Sequence, residues 1–411
     1  AGAANDEIVI GAIGCGGQGS FLARSFAGMP DVRVAYICDV DQARAAKAAE
    51  DVTEIGGHRP QIVHDLRQVL DDDSVDAVTV GTPDHWHGPA TILACDAGKH
   101  VYVEKPCAHN IREGRLMTEA ARRNSRVVQV GTQSRSAEHV RAAVDHLRAG
   151  AIGDVLVAKA WNSQRRANIG HAQPSEPPAG FDYDLWLGPA PEVPFQSNLH
   201  HYSWHWWYDF GTGDIGNDGV HEMDIARFGL GVETHPSLAV AAGGKLYFDD
   251  DQQFPDTQYV VFTYPDAGAQ GRPKQLVFEQ RIWSPYTQDS HENGNAFYGT
   301  DGMLILGKKS GWKLYGPRNE LREEMDSAGL GPSHHKNFLD AIRGAATANA
   351  EIEIGHLSAA LCHLGNIAVR VGGKVEFDPD SERILGNDEA APLVSRNYRA
   401  GHWAVPSGVD A

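Results

Sequence analysis

The chain has 411 residues, 42% hydrophobic and 22% charged, an ordinary globular balance that excludes a disordered or coiled-coil protein and implies two or three domains. Lys plus Arg total 36 against 54 Asp plus Glu, a formal net charge of −18, which makes nucleic acid and anionic membrane surfaces poor partners. No apolar run reaches the roughly 18 residues of a membrane-spanning helix, so none is expected to cross a bilayer.

The chain opens on Ala1-Gly2-Ala3-Ala4-Asn5-Asp6 without an initiator Met, a small-residue stretch of the kind left beside a signal-peptidase site. Export to the periplasm is the expectation from it, and a cytoplasmic chain with a trimmed start is the alternative. Short apolar runs at 8–13, 32–38, 75–80, 100–103 and 127–130 read as buried strands. Amphipathic stretches lie between them, among them 21–27 and 41–52, and such alternation predicts βαβ units in a parallel, doubly wound sheet. After a helix at 138–149 the pattern breaks at the glycines of 150–153. Beyond it, 154–161, 237–247, 258–264, 275–283 and 303–306 read as strands of an antiparallel or mixed sheet. Helices are expected near 334–343 and 356–371, and a polar tail begins at Phe377. The expected domains are therefore 1–150, 151–376 and a tail, 377–411, packing back on the fold. Residues 163–215 form a long irregular stretch rich in Pro, Trp and His, uncommon unless it lines a site. The five cysteines are scattered without CxxC spacing, so neither a disulfide framework nor a zinc knuckle is indicated.

Directly after the first strand stands Gly14-Cys15-Gly16-Gly17-Gln18-Gly19, and Asp39 ends the second strand about 20 residues later. Together these form the dinucleotide fingerprint: glycines let the backbone approach a pyrophosphate, the helix N-terminus supplies a positive field, and the carboxylate takes the ribose hydroxyls. Asp39 would repel a 2′-phosphate, which favours NAD over NADP, although Arg44 could swing in and weaken the discrimination. Two further loops, Thr82-Pro83-Asp84-His85-Trp86-His87 and Glu104-Lys105-Pro106, follow later strands and should face the same crevice. Lys105 beside Glu104 reads either as an ion pair or, better at a strand end, as a catalytic ammonium.

These residues, with Val130-Gly131-Thr132-Gln133 and residues 211–224, resemble the Gfo/Idh/MocA oxidoreductases. The segments Trp186-Leu187-Gly188-Pro189, Asn337-Phe338-Leu339-Asp340 and His363-Leu364-Gly365-Asn366-Ile367-Ala368 are similar to the branch of that family often made with a twin-arginine export signal. The resemblance implies an N-terminal Rossmann domain and a C-terminal α/β domain with a large open sheet, which often forms an oligomer interface. It also implies NAD, hydride transfer on a sugar, polyol or derivative, and cofactor contacts from Gly14, Gly16, Gly17, Gln18, Gly19, Asp39, Thr82, Pro83, His85, His87, Glu104, Lys105 and Gln133.

Within 211–224, read as a helix, Asn217 and His221 share a face, with Asp214 and Asp224 on its edge. Members of the family commonly carry Asp where this chain has Asn217; an amide can hold a substrate hydroxyl but cannot take its proton. His221 is then the expected general base, with an ordinary pKa near 6.5, and Lys105 the group that stabilises alkoxide character. Asp224 reads as a supporting carboxylate. Upstream, residues 200–210 are dense in rings; Trp204, His205 and Tyr208 are candidate sugar contacts, and a core aromatic cluster would explain the stretch as well. The histidines at 200, 201, 205 and 221 show no diagnostic metal spacing, so no metal is assigned. Lys159, Arg165 and Arg166 read as a solvated face. Two activities fit: an NAD-dependent sugar or polyol dehydrogenase, and a glycosidase or lyase that oxidises a ring carbon, eliminates and regenerates its bound NAD. A sugar-binding protein with a vestigial nucleotide fold is the third possibility, against which the intact Gly14 to Gly19 turn, Lys105 and His221 count.

Overall fold

The computed structural model describes residues 7–331 and 333–409. Residues 1–6, which carry the export expectation, lie outside them. The N-terminal half alternates β1 (Ile8–Ile13), α1 (Gly17–Ala27), β2 (Val32–Cys38), α2 (Gln42–Gly56), β3 (Gln61–Val63), α3 (Arg67–Leu70), β4 (Ala77–Val80), α4 (Asp84–Asp96), β5 (His100–Val103), α5 (Ile111–Arg123) and β6 (Val128–Val130). After α6 (Glu138–Arg148) come β7 (Val155–Asn162), α7 (Tyr183–Leu187) and α8 (Val220–Leu230). The chain then runs through β8 (Leu238–Gly244), β9 (Thr257–Tyr264), β10 (Lys274–Arg281), β11 (Asn293–Gly299), β12 (Met303–Gly307), β13 (Gly311–Gly316) and β14 (Glu320–Met325). It finishes with α9 (Ser333–Ile342), α10 (Ile352–Arg370), β15 (Lys374–Asp378) and β16 (Arg383–Leu385).

The first six strands form one parallel sheet in the order β3-β2-β1-β4-β5-β6, the doubly wound arrangement that the alternating pattern predicts. Helices cover both faces, which is why β1 is buried at every position and reads as an unbroken apolar run. The other ten form a mostly antiparallel sheet, β14-β13-β12-β11-β7-β10-β9-β8-β15-β16, with only β7 and β10 parallel. β15 crosses residue 376, so the start of the expected tail belongs to this sheet, and only the chain beyond β16 packs back as a strap.

Two helices of the C-terminal half join the sheets. Phe338 and Leu339 of α9 pack with Phe26 and Tyr102 beside the parallel sheet, while Ile352 and Ala359 of α10 enter the core formed by Val101, Val130 and Met117. α10 is long and apolar enough to cross a membrane by composition, with mean hydropathy 1.2 over an 18-residue window, but 78% of that window is buried in the protein. It is the core helix between the layers. All five cysteines are buried and free, as expected of small hydrophobes. Between α8 and the 3-10 turn Gln133–Ser136 that leads into α6, a buried ion pair locks the join: Arg135 Nε lies 3.0 and 2.8 Å from the two Asp224 oxygens, and Ser358 of α10 donates to the same carboxylate at 2.6 Å. Asp224 is thus the supporting carboxylate of the sequence reading. Both partners are out of water, so Arg135→Ala leaves an uncompensated charge, and urea unfolding should show a loss of about 3–5 kcal/mol.

Candidate active site

A cavity of about 440 Å³ lies along the carboxyl ends of the parallel strands, lined on one side by the glycine turn, Asp39, Thr82, Pro83, Glu104, Lys105 and Gln133. Residues 181–205 and α8 contribute its other wall. Its floor is set by a close approach of backbones. Gly14 adopts φ +81°, and a Cβ on Gly19 would stand 1.8 Å from the Gly14 carbonyl oxygen, so the first turn of α1 packs on β1 only with glycine at both places. Gly16 caps α1 and Gly17 opens on free space, a cradle for a pyrophosphate at a helix N-terminus. Asp39 accepts from Cys15 N at 2.5 Å and Asp41 N at 2.8 Å, so the carboxylate also braces the glycine turn; burial raises its pKa. Gln18 Nε2 donates to Glu104 Oε1 at 2.9 Å, tying two of the expected contacts to each other. The open face of Gly17, the donor N-terminus of α1 and an acceptor carboxylate at the end of β2 fit a dinucleotide.

His85 does not reach this cavity. On α4, successive side chains point about 100° apart, and His85 turns inward, its Nε2 2.8 Å from the Trp186 carbonyl and its ring against Phe210. Trp86 lines the cavity in its place. His87 does line it, with Nδ1 and Nε2 at 2.7 and 2.9 Å from the carbonyls of Pro106 and Thr82, so it braces the two loops. Burial depresses its pKa to about 4.

At the opposite end, Lys105 Nζ donates to the Asn217 carbonyl at 2.6 Å and to Asn217 Oδ1 at 3.1 Å. Its partner is across the crevice, and Glu104 takes the Lys105 backbone N–H instead, at 3.2 Å. Asn217 sits in a π-helical turn, Ile215–Gly219, which runs into α8 and its His221; both side chains line the cavity. Such a turn inserts a residue into the helical repeat and often marks a functional site. Asn217 Nδ2 is 3.2 Å from Asp214 Oδ1 and 3.4 Å from the Tyr202 hydroxyl.

Trp204 and His205 line the cavity, stacked on each other at 3.6 Å. Tyr208 does not: its ring packs on Phe254 and under the Arg370 guanidinium at 4.4 Å, where it serves the core. Tyr202, Phe181 and Trp186, which the sequence reading did not single out as contacts, do line it. His200 and His201 gather around Asp41, with His201 Nε2 2.9 Å from Asp41 Oδ2. Arg166 is not part of a solvated face; it is largely buried against Asp214, at 2.8 Å, and Asp218. Lys159 pairs with Glu279 at 2.9 Å. Lys308, unnoticed in the sequence, lies 3.1 Å from Glu222 and 3.5 Å from Asp218 beneath the site.

These cations change the expected chemistry of His221. Burial first, then Lys308 and Lys105, hold its pKa well below the ordinary 6.5, so the imidazole is neutral across the physiological range. Asp84, under the same crevice, is pushed up to about 7 by burial, with Thr212 donating to it at 2.7 Å.

A nucleotide cradle thus stands at one end of the cavity and a lysine, an amide and a histidine at the other. Residues 8–132 match the oxidoreductase family's NAD-binding Rossmann fold, and residues 158–405 match the same family's C-terminal alpha/beta domain. The chain belongs to the Gfo/Idh/MocA family. Among similar proteins, scyllo-inositol 2-dehydrogenase (NAD(+)) of Bacillus subtilis (strain 168) is 26% identical over 311 residues, covering 73% of this chain and 74% of that one. Glycosyl hydrolase family 109 protein 2 of Shewanella sp. (strain ANA-3) is 37% identical over 112 residues, which is 26% of this chain and only 25% of that protein. In structure, levoglucosan dehydrogenase in complex with NADH and levoglucosan superposes with TM-score 0.69 at 19% identity, covering 90% of this chain and 99% of that one.

A base must be neutral to accept a proton, and a depressed pKa keeps His221 neutral as pH falls. With His221 as the base, the kcat/KM profile should show no histidine limb between about pH 7.5 and 6, and any loss there should disappear in Asp84→Asn, whose carboxyl is the one pushed up to about 7. Replacing Lys308 by Met removes one depressing charge, so an acidic limb should appear and move upward toward 6.5.

Proposed function

We propose that the chain is an NAD-dependent oxidoreductase acting on a secondary hydroxyl of a sugar, polyol or derivative. The observation that carries this reading is the convergence, at one end of the dinucleotide cavity, of Lys105 from the first domain with Asn217 and His221 from the second. Gly14, Gly16, Gly17 and Asp39 would hold the cofactor's pyrophosphate and ribose, and NAD when bound accepts the two electrons and the hydrogen of the carbinol carbon. An ammonium has three donors, and Lys105 uses two on Asn217, which leaves the third to steady the substrate oxygen as its proton departs. Neutral His221 takes that proton. Tyr202, Trp204 and His205 supply ring faces and polar edges suited to an uncharged sugar.

The likeness to glycosyl hydrolase family 109 over 112 residues supports a second reading, in which the same residues would hold the sugar while a ring carbon passes a hydride to bound NAD, the aglycone is eliminated, water adds in its place and the hydride returns to the ring carbon. Purified protein incubated without added cofactor with aryl glycosides and free sugars separates the two. NADH formation that needs added NAD is the expected result for a dehydrogenase; aglycone release without net NADH would replace it by the glycosidase. In either case His221→Ala should lower turnover roughly 10²–10⁴-fold, and a loss of only a few-fold would remove His221 from the role of base.

The reading extends to a homo-oligomer through the large sheet. Its outer face carries Val240 and Tyr259, on strands whose neighbouring positions are buried, and Tyr298 on β11, each more than 40% exposed. Sedimentation should give a multiple of the chain mass, and Tyr259→Glu should shift it toward the single chain.

A further inference from the structure

The cavity has a wall that neither the nucleotide fingerprint nor the substrate residues account for: Trp403, from the chain beyond β16. Two sets of polar contacts hold this strap in place. Arg396, 7% exposed, donates from Nε to Glu113 Oε1 at 2.8 Å and from Nη2 to the His85 carbonyl at 2.7 Å, and the Tyr398 hydroxyl reaches the same Glu113 oxygen at 2.9 Å. A few residues on, Arg399 pairs with Asp184 and Glu192 at 2.7 and 2.8 Å, and its backbone N–H donates to Pro189 at 2.9 Å. A fully buried carboxylate answered by a nearly buried guanidinium is a strong tie between strap and first domain, since separating them would strand a charge. The ring that follows is delivered to the lip of the cavity, with the Arg67 guanidinium 4.3 Å from its centroid and the Trp86 ring at 5.9 Å, yet Trp403 keeps 36% of its surface exposed.

Position along the sheet tells what that ring faces. In the order β3-β2-β1-β4-β5-β6, Lys105 and Gln133 follow β5 and β6, and the glycine turn follows β1. Asp39 follows β2, and beyond it on the β3 side the cavity is lined by His64, Asp65, Leu66 and Trp403, with Trp86 at the start of α4. A dinucleotide with its reactive ring at Lys105 and its ribose at Asp39 has its purine at this far end. We propose that Trp403, held by the Glu113–Arg396 tie, is an adenine-binding residue, and that the strap from Arg396 to Trp403 retains the nucleotide. The inference presupposes the dinucleotide site proposed above. Leu66 gives the purine an apolar edge, and Trp403 lines the cavity with one face of its indole under the Arg67 guanidinium.

Calorimetric titration of the full-length protein with NAD, AMP and nicotinamide mononucleotide tests it. AMP carries only the purine half and the mononucleotide only the nicotinamide half. Trp403→Ala should weaken NAD and AMP about ten-fold or more while leaving the mononucleotide within two-fold of wild type, and Trp403→Phe should restore most of the loss. NAD and AMP affinities within two-fold of wild type, or an equal loss for all three ligands, would overturn the assignment. Wild-type protein without affinity for NAD would overturn the proposed function as well, whereas normal NAD binding with an unmoved Trp403→Ala variant overturns the adenine contact alone.

Discussion

The bond from Lys105 Nζ to Asn217 is the interaction on which the active centre depends, because it is made between domains rather than within one. A lysine at the end of a parallel strand has no reason of its own to point along the crevice. Here the carbonyl and amide oxygens of the π-helical turn fix its ammonium beside His221. Burial first, then Lys308 below and the charge so fixed, keep the imidazole neutral, and Asp218 and Glu222 keep Lys308 in place. In the proposed reaction one ammonium would serve both as a donor toward the substrate and, after burial and Lys308, as part of the field on its neighbour.

A doubly wound sheet leaves the carboxyl ends of its strands open, and the two long irregular parts of this chain close them. Backbone bonds from Gln42 to Gly180 and from Asp182 to Val40 dock the segment after β7 directly on the start of α2. His201 is set against Asp41, which caps that same helix. The strap after β16 closes the other side. The rings of residues 181–210 therefore have two duties: Phe195 and Phe210 form a small core with Leu199, Tyr202 and Trp204 face the cavity, and Phe181 and Trp186 do both. The excess of acidic residues is no obstacle to such a site, since several carboxylates at its edge are consumed in pairs with Arg166, Lys308 and Arg396.

The elements most legible in the sequence are those whose burial is two-sided. β1 and β5 fall where the apolar runs place them, because a parallel strand covered on both faces leaves no polar alternation to blur its ends. β11, with glycine at both its second and last positions, and β14, an edge strand almost wholly charged and exposed, give no such signal. The site follows the same rule. Gly14, Gly19 and Asp39 are fixed by local backbone geometry at strand ends, and so their places could be read; Lys105 could be read as a strand-end residue, though its ammonium is placed by Asn217. His85 and Tyr208 could not, since whether a ring in a helical or irregular segment turns toward a cavity or a core is decided by its neighbours in space. Trp86 occupies the cavity for the reason that His85 leaves it, one residue and about 100° away on α4. Arg166 was legible as a cation and illegible as a buried one, for its partners Asp214 and Asp218 are about 50 residues distant in sequence.

The substitution of an amide for the usual acid at position 217 then has a structural reading. Asp214 and Asp218 already supply carboxylates on the same turn, each engaged by Arg166, and a further acid between them would place three negative groups around one guanidinium and the Lys105 ammonium. An amide avoids that repulsion and still offers Lys105 an oxygen while donating toward Asp214 and Tyr202. The same choice leaves no carboxylate at 217 to compete with His221 for the substrate proton. In the proposed reaction proton transfer would then fall to His221, a group held neutral by burial first and by Lys308 and Lys105 after it, and the two domains meet at Lys105 and Asn217 beside it.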